Sequence, residues 1–237
     1  MRYLIVAFAA LLVLSAVTVA AAGEVVVVRS TAPGLKPGQI LDASKPVGLT
    51  HGTAVTVIAE DGRAKSLSGP FYGVPVGQQG STPGGSALIH SLSRLMTGKT
   101  PETHELGMMR GEKGTGSPDA WTIDVIRSGA HCVPAGAEAV LWRPNGVTAE
   151  TVTIRRLPWG EKDTSDWPAG TNIMGWPKAL PLEDGAEYLI RLSSRISGAK
   201  LAVFLVPANL PTDAHRAAWM GDHGCVAQAL VLIAEMR

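Results

Sequence analysis

Apolar residues run without interruption from Leu4 to Leu14, and no later segment approaches the length needed to span a membrane. Beyond this run the apolar positions break into short pieces. Residues 24–29 are β-branched, and residues 53–58 alternate apolar and polar, so both predict strands. Pro33-Gly34, Lys36-Pro37-Gly38 and Asp61-Gly62 are turn signals around them, and Asp61-Gly62 predicts a hairpin into 64–67. Leu88, Ile89, Leu92, Leu95 and Met96 then fall at helical spacing, with Ser86 as start and Gly98 as stop. Strand patterns resume at 121–127, 137–143, 150–155, 187–192 and 200–206, separated by Asn145-Gly146, Glu183-Asp184-Gly185 and Ser197-Gly198. The tail turns helical. Thr212 caps a helix through Met220, with Asp213 in its first turn, and Gly221 to Gly224 interrupts. A second helix runs over 225–236, with Val226, Leu230 and Ile233 on its apolar stripe.

The pattern predicts a mainly β chain with C-terminal helices. Residues 1–22 read as a signal peptide: Arg2, the apolar run, then Ala20-Ala21-Ala22 as a small-residue cleavage site before Gly23. The alternative is a leader retained as an N-terminal anchor. Residues 23–70 form a small SH3-like β module, and 71–119 a linker carrying one short helix. Residues 120–237 form an antiparallel β-sandwich, Ig-like in layout, ending in two α-helices. The stretches 77–85 and 111–118 have linker composition.

Composition sharpens this picture. With 46% apolar residues the chain can bury a core, which excludes global disorder. Lys and Arg number 21 against 20 Asp and Glu; removing Arg2 with the leader leaves 20 of each. Neutrality argues against a nucleic-acid partner, which needs surplus cations. The residue directly after the cleavage site is Gly23 and not a cysteine, so lipid attachment there is not expected. The two cysteines, Cys132 and Cys225, form an even pair in an exported chain and so predict a disulfide. It would tie the last helix to the edge of the second β module.

Candidate chemistry is sparse. His131 adjoins Cys132 and His223 lies two before Cys225, so a closed pair could bring imidazoles together. One alternative is a transition-metal site using His131 and His223. Another is a Cys225 thiolate at a helix N-terminus capped by Asp222, with either histidine as base. An oxidising compartment disfavours both. Trp159, Trp167 and Trp176, each beside a proline in the segment 157–181, are the candidate binding surface. Trp121, Trp142 and Trp219 read as core. Gly98-Lys99-Thr100 lacks the first glycine of a P-loop, and His104-Glu105 lacks the second histidine of a zinc-protease helix. Ser197-Gly198-Ala199-Lys200 sits in a turn. The acid pairs Asp163/Asp166 and Glu183/Asp184 read as turn residues, and His51 and His90 as structural. No cofactor is expected.

The order Ala32-Pro33-Gly34-Leu35-Lys36-Pro37-Gly38-Gln39-Ile40-Leu41, then 53–58, Asp61-Gly62-Arg63 and Leu67-Ser68-Gly69-Pro70, resembles the FecR-like β domain of bacterial envelope proteins. Trp142-Arg143-Pro144 and Gly185-Ala186-Glu187-Tyr188-Leu189 resemble Ig-like sandwiches appended to such domains. The resemblance implies a non-catalytic periplasmic domain acting by protein contact in signalling or envelope assembly. The expectation is an exported binding protein whose partner is another envelope protein or a cell-wall polymer. The alternative is an envelope hydrolase or metal-handling protein built on His131, Cys132, His223 and Cys225.

Overall fold

Four consecutive valines, Val25 to Val28, can all be buried only in a strand covered on both faces, and the structure supplies both covers. This is a computed structural model describing residues 23–77, 82–98 and 117–236. The leader 1–22, most of the linker 111–118, Lys99-Thr100 and His104-Glu105 lie outside the described residues. Strand β1 (Glu24–Ser30) is central in a sheet ordered β2-β1-β4-β5, with β2 (Ile40–Asp42), β4 (Ala54–Ala59) and β5 (Ala64–Ser68). Its neighbours are all antiparallel, and a bulge between Val27 and Arg29 shifts the register against β4. Val25 and Val27 face a small core closed by the two-stranded antiparallel sheet of β3 (Val47–Leu49) and β6 (Phe71–Gly73), which contributes Leu49, Val47 and Phe71. Val26 and Val28 face the opposite way, onto helices.

Those helices come from distant parts of the sequence, one from its interior and two from its C-terminal part. Helix α1 (Gly85–Thr97) buries Leu88, Ile89, Leu92 and Leu95 and ends at Gly98, whose φ of 68° suits the left-handed cap. Helices α2 (Asp213–Asp222) and α3 (Val226–Glu235) pack beside it. Thr212 caps α2 by accepting the His215 N–H. Two tail details differ from the sequence expectation. Helix α2 continues to Asp222, and the N-cap of α3 is Cys225 itself rather than Asp222. The buried positions of α3 are Gln228, Ala229, Leu232 and Ile233, while Leu230 is exposed. The helix is rotated so that its one buried polar group, Gln228, meets unpaired backbone.

The far side of the helical layer rests on the second β region. Its larger sheet has the order β11-β10-β13-β14-β8, with β8 (Gly129–Pro134), β10 (Glu150–Arg156), β11 (Lys162–Trp167), β13 (Ala186–Leu192) and β14 (Ala199–Val206). A smaller sheet, ordered β12-β9-β7, comprises β7 (Thr122–Asp124), β9 (Val140–Trp142) and β12 (Ile173–Gly175). Together they enclose a sandwich core of Ile123, Leu141, Ile154, Tyr188, Leu201 and their neighbours. Strand β14 alternates between two interiors: Leu201 and Val203 face the sandwich, Phe204 and Val206 the helices. The fold is therefore mainly β with two C-terminal helices. Two pairings within the largely antiparallel sandwich run parallel, β8 with β14 and β7 with β9. No helix among the described residues is long and apolar enough to cross a membrane.

Contacts at the end of β4 tie the first module to the segments that pack on it. Glu60 is buried at the end of β4, where its Oε1 accepts the Glu24 N–H (2.8 Å) and its Oε2 accepts the Thr82 N–H (2.9 Å). The Asp61-Gly62 turn meets the start of α2. Gly62 has φ 78°, and a Cβ there would strike Thr212 Oγ1 and stand 2.8 Å from His215 Nδ1. Gly62→Ala is therefore expected to destabilise the protein by about 2 kcal/mol. The check is the urea midpoint, which falls while the slope stays constant.

Candidate functional site

Cys132 lies on β8, an edge strand of the larger sheet, and Cys225 at the head of α3. They form a disulfide spanning 93 residues with their Cα atoms 5.9 Å apart. Both are buried, and no cysteine among the described residues is free. The bridge ties the last helix to the edge of the second β region, as the sequence predicts. Beside it the buried Gln228 amide closes a gap between the two sheets. Its Oε1 accepts the Cys132 N–H (2.7 Å), and its Nε2 reaches the carbonyls of Cys132 (2.8 Å), Ala120 (2.8 Å) and Thr122 (3.2 Å). Edge backbone on β7 and β8 that lacks a strand partner is thus satisfied by one side chain.

The imidazoles do not join the sulfurs. Successive strand residues point to opposite faces, so Cys132 meets the helices while His131 points with Val133 into the sandwich. His131 Nδ1 is 3.3 Å from the Gly129 carbonyl. Burial pushes its pKa down to about 4; the Gly129 carbonyl opposes this, and the Arg127 charge adds to it. His223 stays on the helical side, its Nδ1 donating to the Trp219 carbonyl (2.8 Å). Its ring stacks on Trp219 at 3.6 Å and meets the edge of Phe204 at 5.3 Å. The expected pairing of His131 with His223 is thus not formed, and both sulfurs are spent in the bridge. Among the described residues no group of three or more His, Cys, Asp or Glu could hold a metal.

The His131 environment predicts a pH dependence. Its folded pKa lies below the ordinary value of 6.5, so the unfolded chain binds more protons between pH 6.5 and about 4. Stability is expected to be flat in this respect above pH 6.5 and to fall by about 3 kcal/mol as pH drops through that window. Asp124 works with the opposite sign, because burial raises its pKa and its deprotonation costs stability as pH rises. Denaturation of the wild type and of His131→Gln at several pH values isolates the histidine's share, which the variant lacks.

The three tryptophans proposed as one surface are in three environments. Trp167 is completely buried, so it cannot serve as a contact residue. The segment 157–181 is not one loop but contains β11 and β12, and alternation along β11 turns Trp167 inward. The Arg143 guanidinium stacks on its ring at 4.8 Å, and Trp167 Nε1 has no hydrogen-bond partner among the described residues. Trp176 is half-buried, donating Nε1–H to the Leu180 carbonyl (2.8 Å) and meeting the edge of Tyr188 at 5.0 Å. It pins the stretch before β13. Trp159, 89% exposed at the β10–β11 turn, alone remains available to a partner. Trp142 is buried as expected; Trp121 and Trp219 are partly so.

Arg143 was not recognised from sequence as a core group, yet it is 1% exposed. Its Nη2 donates to the carbonyls of Pro168 (2.9 Å) and Thr171 (3.2 Å), and its Nη1 stands 3.3 Å from Glu150 Oε1 in an ion pair that makes no hydrogen bond. The guanidinium thereby fixes the loop 168–172 against the loop 143–149. The loops 125–128 and 193–198 lie at the same end of the sandwich, where Ser194 Oγ donates to Glu150 Oε2 (2.7 Å) and Lys200 N to Ser128 Oγ (3.1 Å). Val147 and Ile196 stand exposed there, 79% and 101% respectively. Asp124 is buried beneath, with Arg127 Nε 3.2 Å from Oδ2. On the first module, an open groove of about 360 Å³ is lined by Leu35, Leu41, Pro46 and Val47, with Asp42 and Lys45 paired at its rim (3.5 Å).

No family model matches this chain, and no curated protein matches it either.

Proposed function

We propose that this chain is an exported, non-catalytic interaction protein of a bacterial cell envelope, with a FecR-like first module and a sandwich that presents the contact surfaces. The observation that carries the reading is the buried Cys132–Cys225 bridge, a bond kept by proteins of oxidising compartments. The apolar run before Gly23 supports the same address, read as a leader that is removed. The order of turns and strands through β1, β4 and β5 supports the FecR-like reading of the first module. Trp159 is the anchor offered to an envelope protein or a cell-wall polymer, since an exposed indole on a turn contributes large contact area at small entropic cost. The reading as an envelope hydrolase or metal-handling protein loses its two thiolates to the disulfide and half of its imidazole pair to the sandwich interior.

The test starts from protein recovered from cells. Thiols are titrated after denaturation without reductant and again with it. No reactive thiol in the first condition and two in the second is the expected result. Two thiols in the first would remove the bridge and the address with it. In the same cells, photocrosslinking from the Trp159 position is expected to capture an envelope component, and a capture that persists unchanged from a buried-position control would overturn the role of Trp159.

A further inference from the structure

We propose that the open face of the larger sheet binds an anionic polysaccharide, held by cations along β10, β11 and β13. This deepens the proposed function by choosing a polymer as partner, and rests on it only for the exported address. Val152, Ile154, Tyr188 and Ile190 fill the sandwich core, so alternation sends Thr153, Arg155, Leu189 and Arg191 to the opposite face. The helices cover this face at β8 and β14, where Cys132 and Phe204 meet them. They leave it open at β10 and β11, where Arg155, Lys162 and Thr164 are exposed. Across the open part the register sets Lys162 opposite Arg155, Arg155 opposite Leu189 and Leu189 opposite Lys200. Arg191 stands beside Thr153, diagonal to Arg155.

Arg155 and Lys162 are a like-charge pair directly opposite one another, an arrangement that costs a sheet stability. The fold does not relieve it: Arg155, Lys162 and Arg191 make no ion pair or hydrogen bond among the described residues. The carboxylates nearby are engaged or turned away. Glu187 pairs with Lys200 (2.9 Å), and Asp166, at the far end of the hairpin, accepts from Thr151 (3.4 Å). Glu161 and Asp163 alternate to the other side of the hairpin, and Glu183 pairs with Arg156. Asp184 accepts the Leu205 N–H (2.8 Å), and Glu150 lies inward against Arg143. Over the whole face, Lys162, Arg155, Arg191 and Lys200 stand against Glu187 and Asp166, so a positive excess remains. Cations on adjacent strands are about 5 Å apart, a spacing that meets charges repeated along an extended chain rather than one compact anion. Guanidinium groups take carboxylates through paired hydrogen bonds. Between the cations lie the hydroxyls of Thr153 and Thr164, and Leu189 is half-buried, so the face offers a protein partner no apolar anchor. The turn that follows the Arg155–Lys162 pair carries the exposed Trp159, an aromatic ring that can stack on a sugar.

The test measures binding of protein purified from the exporting cells to three polymers at low and raised salt. Polygalacturonate carries carboxylates on sugars, dextran is an uncharged polysaccharide, and polyglutamate carries carboxylates without sugar. The expected result is binding to polygalacturonate that weakens with salt, none to dextran, and binding to polyglutamate about tenfold weaker. Arg155→Glu is expected to lower the affinity for polygalacturonate about 20-fold and Trp159→Ala about tenfold. Lys65→Glu on the first module makes the same change of net charge and leaves the affinity within about twofold. Arg155→Glu is also expected to raise the urea midpoint, because it turns a repulsive cross-strand pair into an attractive one. A midpoint that falls instead, with affinity unchanged, makes Arg155 a structural residue and overturns the proposal. Equal binding of polyglutamate and polygalacturonate overturns it too, since that marks a site for an acidic protein chain. Failure of all three polymers to bind, with thiol titration still showing the bridge, overturns the polysaccharide and leaves the exported address standing.

Discussion

Replacing Cys132 and Cys225 together by alanine is expected to destabilise the protein by about 4–5 kcal/mol, because the bridge closes a loop of 93 residues in the unfolded chain. The effect resides mainly in the unfolded state. Without the cross-link the denatured chain samples many more conformations and exposes more surface. The denaturant slope should therefore rise while the midpoint falls. The native junction loses less, since the Gln228 amide still holds the backbone of Cys132. Wild type treated with reductant should reproduce the variant's midpoint, and the variant should be indifferent to reductant. A wild-type midpoint that stays put in reductant would show that the bridge constrains nothing the fold does not already fix.

What the sequence made legible follows from what hydrophobic patterning can report. The valine run of β1, the alternation in β4 and the Ser86-to-Gly98 helix were all readable, because apolar spacing and end signals agree there. The pair Cys132 and Cys225 was readable for a different reason, since two sulfurs in an exported chain have one common fate. Strand β11 escaped notice because Lys162, Asp163 and Asp166 give it no apolar alternation. An edge strand tolerates and even favours such residues. The tryptophans misled because Trp167 belongs to that unrecognised strand, and its position there buries it. The imidazole cluster fails for another reason: adjacency in sequence is not adjacency in space. His131 and Cys132 are neighbours on one strand and so face opposite interiors. Polar residues that hold the core together, Arg143 and Gln228 above all, give no signal in a hydropathy pattern. Their role depends on which backbone groups the tertiary fold leaves unpaired.

Gln228 provides the sharpest test of that last point. Gln228→Ala leaves the Cys132 N–H and the carbonyls of Cys132 and Ala120 without their partners in a buried place. Each orphaned group costs about 1–3 kcal/mol, and with some water entering the gap the expected total is about 3–5 kcal/mol. Gln228→Glu separates hydrogen bonding from packing, because it keeps the shape but exchanges a donor for a charge. An ionised carboxylate there would face carbonyl oxygens and destabilise the fold, whereas the protonated form can donate one hydrogen bond. Its folded pKa would lie above the unfolded value, so this variant should recover stability as pH falls toward the ordinary carboxylate range. Wild type moves the other way over the same interval as His131 protonates on unfolding. Combining Gln228→Ala with the cysteine pair should cost more than the two changes summed. Either the amide or the bridge alone keeps α3 against β8, and losing both frees the helix. Strict additivity, or a Gln228→Ala cost below about 1 kcal/mol, would mean that the two sheets close their edges without the amide and that α3 is held by apolar packing alone.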